Sequence, residues 1–212
     1  LYAMMVATML LLTLTSISNR AFSIGGSPVS NYCAKALPSS ESTTDPVIRF
    51  PDPNFEAAVR EVIRKPKGDI TRNDVSRISV LKLAGLGIND LTGIEYFTAL
   101  TELDCSMNRL TALDVSRNLA LVELDCFGNR LTELDVSRNT TLESISCGEN
   151  NLNELDVSRN TRLKTLDCYY SGVVSLNTNG ATALESLSLA MNRLKVLDVS
   201  HNPALDYLSC YG

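Results

Sequence analysis

LTELDCSMNRL (100–110), LTALDVSRN (110–118), LVELDCFGNRL (121–131) and LTELDVSRN (131–139) follow one another almost without a gap, and after 21 residues the first string returns as the third and the second as the fourth. The step continues through LESISCGENNL (142–152), LNELDVSRN (152–160), LKTLDCYYSGV (163–173), VSLNTNGA (174–181), LESLSLAMNRL (184–194) and LKVLDVSHN (194–202). Self-similarity at a fixed period of this size marks a solenoid, each repeat being one coil stacked on the next. Each coil has two similar halves. In both, an apolar residue recurs two positions after another, the in-and-out alternation of a strand. Leu103, Leu124, Ile145, Leu166, Leu187 and Leu208 therefore point inward, with Val115, Val136, Val157 and Val199.

The same step places Cys105, Cys126, Cys147 and Cys168 in one inward column, with Leu189 and then Cys210 continuing it. Thiols stacked about 4.8 Å apart on parallel strands keep their Cβ atoms badly placed for a disulfide. They read as a ladder of free thiols acting as small hydrophobes. A straight column also cannot surround a metal ion tetrahedrally, so no metal is expected there. Two asparagine columns mark the bends: Asn108, Asn129, Asn150 and Asn192, and Asn118, Asn139, Asn160 and Asn202. An amide side chain offers both a donor and an acceptor to backbone groups that turn inward without a strand partner. Asn139-Thr140-Thr141 matches a glycosylation sequon and reads more simply as a bend asparagine.

Outside the array the reading is coarser. Residues 1–23 have an uncharged apolar start and Ala21-Phe22-Ser23, which fits a cleaved signal peptide or an uncleaved membrane anchor. Residues 24–46, with GGSP, LPSSESTT and the odd Cys33, read as a flexible linker. Residues 47–78 read as a helical N-terminal cap. Asp52 and Pro53 open a helix whose face is Phe55, Val59, Val62 and Ile63, and Thr71 with Asp74 forms a capping box. Such a cap covers the apolar cross-section of the array. Residues 79–212 are the repeats. They stop in mid-coil at Tyr211-Gly212, so the array reads as truncated, with Leu205, Leu208 and Cys210 facing solvent.

The string L-x-x-L-x-C-x-x-N-x-L-x-x-L-D-V-S-x-N resembles the bacterial leucine-rich repeats of the 21-residue, cysteine-containing kind found in internalin-like surface proteins. FPDPNF and LAGLGINDLTGIEYFTAL (83–100) resemble the capped start of such arrays. The resemblance implies an α/β solenoid, a right-handed coil with a parallel β-sheet on its concave side and a short helical N-terminal cap. It also implies a bacterial secreted or cell-surface protein used for adhesion or protein recognition.

Chemistry is sparse. The chain is 44% hydrophobic and 20% charged with a net charge of −5, a balance that argues against nucleic acid. No catalytic, nucleotide or cofactor motif is present. His201 stands where other coils have Arg117, Arg138 and Arg159, an exposed bend unsuited to catalysis. Two features point to binding. The column after the cysteines reads Ser106, Phe127, Gly148, Tyr169, Ala190, Tyr211, and it is expected on the outward sheet face with Tyr170 and Tyr207 beside it. Outward carboxylates Asp104, Asp125 and Asp167 precede the cysteines, and Asp114, Asp135, Asp156 and Asp198 precede the valines; they suit local hydrogen bonds, or calcium or a basic partner. The coil from Tyr169 to Ala181 departs from the pattern, with Ser171 and Ala181 for bend asparagines and Thr178 for valine. The expectation is a non-catalytic extracellular module recognising a protein, in preference to a glycan, on a host or neighbouring cell. The alternative is the targeting module of a larger secreted enzyme. Contact with a membrane would come only through the N-terminal segment or a missing C-terminal region. The oligomeric state is left open.

Overall fold

The computed structural model describes residues 45–212. The signal, linker and Cys33 expectations fall outside these residues. The described chain opens with α1 (Pro53–Val62) and α2 (Arg72–Val75). Asp52 caps α1 by accepting from the amides of Asn54 at 2.9 Å and Phe55 at 3.0 Å, and Pro53 occupies the first helical position, where no amide is needed. Thr71 and Asp74 form the capping box of α2. Phe55 and Val59 are buried and Ile63 half-buried, but Val62 is exposed. The apolar face of α1 is therefore narrower than the spacing suggests. Phe55 packs against Phe50, edge to face at 5.2 Å, and against Phe97 at 6.3 Å, so the helix sits on the first coil.

The coils then supply β1 (Val80–Lys82), β2 (Glu102–Asp104), β3 (Glu123–Asp125), β4 (Ser144–Ser146), β5 (Glu154–Asp156), β6 (Thr165–Asp167), β7 (Ser175–Asn177), β8 (Ser186–Ser188) and β9 (Tyr207–Ser209). A short 3-10 turn, Ile94–Tyr96, closes the first coil. Seven strands form one parallel sheet in the order β1-β2-β3-β4-β6-β8-β9. Its register follows the repeat: Leu103 faces Leu124, Leu124 faces Ile145, Ile145 faces Leu166, and Leu166 faces Leu187. The second half-coils differ from expectation. Only β5 and β7 pair there, as a separate two-stranded sheet, and the corresponding segments of the other coils form no strand among the described residues.

The core is one continuous column of leucine, valine and cysteine between these two sides. Cys105, Cys126, Cys147 and Cys168 are buried free thiols, whereas Cys210 is exposed and Leu189 is buried in the slot between. Burial pushes the Cys126 thiol up to about 12 and raises Cys105; a hydrogen bond with Cys168, together with burial, raises Cys147. Iodoacetamide at pH 8 should therefore alkylate Cys210 in the native protein and the four buried thiols only after guanidinium unfolding. Peptide mapping checks this; native labelling of any of the four at the rate of Cys210 would contradict the buried ladder.

Candidate binding surface

The bends set where side chains emerge. In the first asparagine column every polar atom is used. Asn129 Oδ1 accepts from Leu110 N at 3.0 Å, and its Nδ2 donates to the carbonyls of Cys105 and Cys126 at 3.0 Å. Asn150 repeats this with Leu131 N and the carbonyls of Cys126 and Cys147. The carbonyls of Cys105 and Cys126 thus each receive an asparagine from their own coil and one from the next. Ser171 keeps part of the pattern, its hydroxyl donating to Cys147 O at 3.0 Å. The second column behaves otherwise than expected. Asn139 and Asn160 donate to two carbonyls each, but the Oδ1 atoms of Asn118, Asn139 and Asn160 are buried without a partner. The facing residue of the preceding coil, Ile94 for Asn118 and a valine for Asn139 and Asn160, offers them no donor. Where Thr178 replaces that valine, its hydroxyl donates to Asn202 Oδ1 at 2.8 Å. Asn139 is fully buried, so as folded it presents no acceptor for a glycan.

The outer face of the main sheet carries two rows. One runs Val80, Glu102, Glu123, Ser144, Thr165, Ser186, Tyr207; the other runs Lys82, Asp104, Asp125, Ser146, Asp167, Ser188, Ser209. The face is acidic over β2 and β3, becomes rich in hydroxyls from β4 to β8, and ends at exposed Tyr207. Lys82 pairs with Glu102 at the acidic end, beside a shallow hollow of about 180 Å³ lined by Asp104, Asp125, Ser144 and Ser146. Asp104, Asp125 and Asp167 have a local task. Each Oδ1 accepts from the amide two residues on: Ser106 at 3.1 Å, Phe127 at 3.0 Å and Tyr169 at 3.0 Å. Asp114, Asp135 and Asp156 do the same for Ser116, Ser137 and Ser158, and the hydroxyl and amide of Ser116 hold the Asp114 carboxyl below its usual range.

This turn corrects the expected position of the aromatic column. The strands end at Asp104, Asp125, Ser146, Asp167, Ser188 and Ser209, so Ser106, Phe127, Gly148, Tyr169, Ala190 and Tyr211 lie on the rim where the chain bends, not on the sheet face. Ser106, Gly148 and Ala190 are buried there, Phe127 and Tyr169 are half-buried, and Tyr170 and Tyr211 are 59% and 67% exposed. A Cβ on Gly148 would lie 3.0 Å from the Phe127 ring and 2.9 Å from Tyr169 O; the missing side chain lets that ring fold onto the next coil. The rings of Tyr169 and Tyr170 stand 6.2 Å apart, tilted by 39°. Phe127, Tyr169 and Tyr170 therefore form a ledge, while Tyr207 lies on the sheet face and Tyr211 at the far end of the rim.

A second hollow was not anticipated. It lies on the second half-coils, about 720 Å³, open and lined by Leu113, Leu134, Glu133, Glu154, Asp135 and Asp156 among others. Its signal in the sequence was the residue before each LD pair, Ala112, Glu133 and Glu154, which alternation already turns outward. Among the described residues no three His, Cys, Asp or Glu side chains converge as a metal ion requires, and no helix is long and apolar enough to cross a membrane.

Residues 50–208 match the family model described as the endo-beta-N-acetylglucosaminidase EndoS LRR domain. Over 70 residues the chain is 37% identical to internalin J of Listeria monocytogenes serotype 4b (strain F2365), a stretch covering 32% of this chain and 8% of that protein. The solved functional domain of InlJ from Listeria monocytogenes, described as including a cysteine ladder, superposes with a TM-score of 0.61 at 32% identity over 79% of this chain and 44% of that one. An internalin (inlF) from Listeria monocytogenes gives a TM-score of 0.56 at 25% identity, covering 79% of this chain and 59% of the other. A leucine-rich-repeat protein of Leptospira interrogans gives 0.52 at 25% identity over 56% of this chain and 33% of its own. The chain thus spans less than two thirds of each of these relatives.

Proposed function

From the premise that the chain belongs to the EndoS LRR domain family, and is an internalin-like bacterial leucine-rich-repeat protein, we propose that it is an exported, non-catalytic module that recognises a protein through its main sheet face and the adjoining rim. The observation that carries this reading is the composition of the sheet face. Behind it the inward positions of the sheet's first six strands, Leu81, Leu103, Leu124, Ile145, Leu166 and Leu187, are spent on the core. In front, seven strands present side chains that the fold itself does not need in so specific an order, acidic at one end, hydroxyl-rich in the middle and aromatic at the other. A rigid parallel sheet of this kind holds contact groups at fixed spacing and loses little entropy on binding. Aspartates that also brace the turn keep the rim in place.

Ser144→Arg with Thr165→Arg puts two large cations on the middle of the face without touching the core. Partners retained by the immobilised protein from host or neighbouring-cell extracts should be lost from this variant and kept by Glu133→Gln on the opposite side. Retention by both would remove the sheet face from the reading. A second reading is favoured by the family description itself, which belongs to a domain of an endo-beta-N-acetylglucosaminidase. In that reading the module targets an attached secreted enzyme. A hydrolase encoded in the same reading frame would support it.

A further inference from the structure

We propose that the ledge of Phe127, Tyr169 and Tyr170 receives a lysine or arginine side chain of the protein partner, with the carboxylates of Glu149 and Asp167 beside it. The inference rests on the reading that the rim belongs to the binding surface. Three observations meet at this place. First, Tyr170 has φ +50° in a left-handed column shared by Met107, Gly128, Glu149, Met191 and Gly212, and it is the one aromatic ring carried where a side chain strains the backbone. With 59% of Tyr170 exposed, the core gains little from it. Second, the charge around the tyrosine end of the ledge is one-sided. Two residues past this column, the flanking coils carry Arg109, Arg130 (in the coil of Phe127) and Arg193, but the coil of Glu149 and the coil of the two tyrosines carry Asn151 and Gly172. Glu149 takes the position before Tyr170 in the same left-handed column, and its amide donates to Tyr169 O at 2.8 Å, so the two coils are in direct register. Third, among the described residues no cation pairs with these groups. The ion pairs among the described residues are Arg60–Glu56, Lys65–Asp74, Lys82–Glu102 and Lys164–Glu143, none involving Glu149 or Asp167.

Aromatic faces next to carboxylates without an ion-pair partner, on the two coils that lack the arginine, complement a cation. The rings attract it through their quadrupole and the carboxylates through charge. A guanidinium can also lie flat on a ring, which a hydrated small ion does not do. Pyranose stacking would use the same rings but has no need of the missing arginines, so the charge pattern favours the cationic side chain.

The test titrates the full chain with a labelled hexa-arginine peptide at about 0.15 M salt, where long-range attraction is largely screened, and in parallel with chitohexaose. Tyr170→Gly suits the left-handed backbone and leaves the net charge unchanged. It should melt no lower than the parent and bind hexa-arginine about 5-fold more weakly; Glu149→Gln should weaken it similarly. Val196→Ser, at an exposed apolar residue on the second half-coils, should leave the peptide affinity unchanged. Absence of hexa-arginine binding, or equal affinity in the parent, Tyr170→Gly and Glu149→Gln, would overturn the proposal. So would chitohexaose binding that alone depends on Tyr170. If Ser144→Arg with Thr165→Arg abolishes partner capture and Tyr170→Gly does not alter it, the ledge proposal fails and the sheet-face reading stands. If only Tyr170→Gly abolishes capture, the ledge stands and the sheet face falls.

Discussion

Asn150→Ala should destabilise the array by about 4 kcal/mol, and Asn139→Ala by only about 1–2 kcal/mol, although both remove a buried asparagine from a bend. The difference lies in what is left behind. Asn150 accepts from Leu131 N at 3.0 Å and donates to the carbonyls of Cys126 and Cys147 at 3.0 Å and of Gly148 at 3.1 Å. Asn129 and Ser171 would still serve the two cysteine carbonyls. Nothing replaces the acceptor for Leu131 N, and an unmade buried amide costs about 1–3 kcal/mol beyond the bonds lost. Asn139 donates to Val115 O and Asn118 O, but these carbonyls also accept from Asn118 N and Leu121 N. Its own Oδ1 is already unpartnered, so alanine removes an uncompensated acceptor along with two donors.

For an array of this size about 4 kcal/mol corresponds to a fall in melting midpoint of roughly 10 °C. Because coils interact chiefly with their neighbours, Asn150→Ala, near the middle, is also expected to broaden the transition. Thermal melts of both variants decide the matter. Equal losses would show that the unsatisfied oxygens of the second column are not a real asymmetry. Asn150→Ser should fall between Asn150→Ala and the parent, since a hydroxyl at the corresponding bend, Ser171, already donates to Cys147 O.

The core and its register were readable because one period controls both. Leu103, Leu124, Ile145 and Leu166 pair in succession in the sheet, as their spacing requires. The same period could not say which half-coil would pair, because both halves alternate alike. Ladder pairing depends on how closely adjacent coils approach, and on the second side only β5 and β7 achieve it. Nor could alternation place the aromatic column. Extrapolated past Asp125 and Asp167 it turns Phe127 and Tyr169 outward on a strand. The carboxylate of each aspartate instead captures the amide two residues later and ends the strand there. The residue type carried that information, and the periodic reading gave it too little weight. The acceptor left bare on Asn118, Asn139 and Asn160 was similarly invisible, since an amide's capacity to pair both ends does not guarantee a donor within reach.

Gly180 carries the second large effect, and here the repeat would mislead. Its column reads Arg117, Arg138, Arg159, Gly180, His201, so restoring an arginine looks harmless on the surface. A Cβ at Gly180 would nonetheless lie 1.8 Å from Ser158 O and 2.8 Å from the Ser158 carbonyl carbon. The obstacle is backbone of the preceding coil, which cannot rotate away as a side chain can. The adjacent departures belong to the same local arrangement. Ala181 is fully buried where the other coils place asparagine, its carbonyl accepts from Asn202 Nδ2 at 2.9 Å, and Thr178 donates to Asn202 Oδ1 at 2.8 Å. Gly180→Ala should therefore cost about 3 kcal/mol, a fall of roughly 6–12 °C in melting midpoint. Gly180→Arg should cost no less, because the first side-chain carbon is the one that collides. Adding Ala181→Asn to Gly180→Arg restores the repeat's own residues and the amide donors toward Val157 O and Asn160 O that this bend lacks. If the two positions act as a unit, the double variant recovers at least half of the single variant's loss, a coupling that thermal melts of all three proteins would measure. A Gly180→Ala protein that melts with the parent would show that the coils at this bend stand further apart than the contact with Ser158 requires.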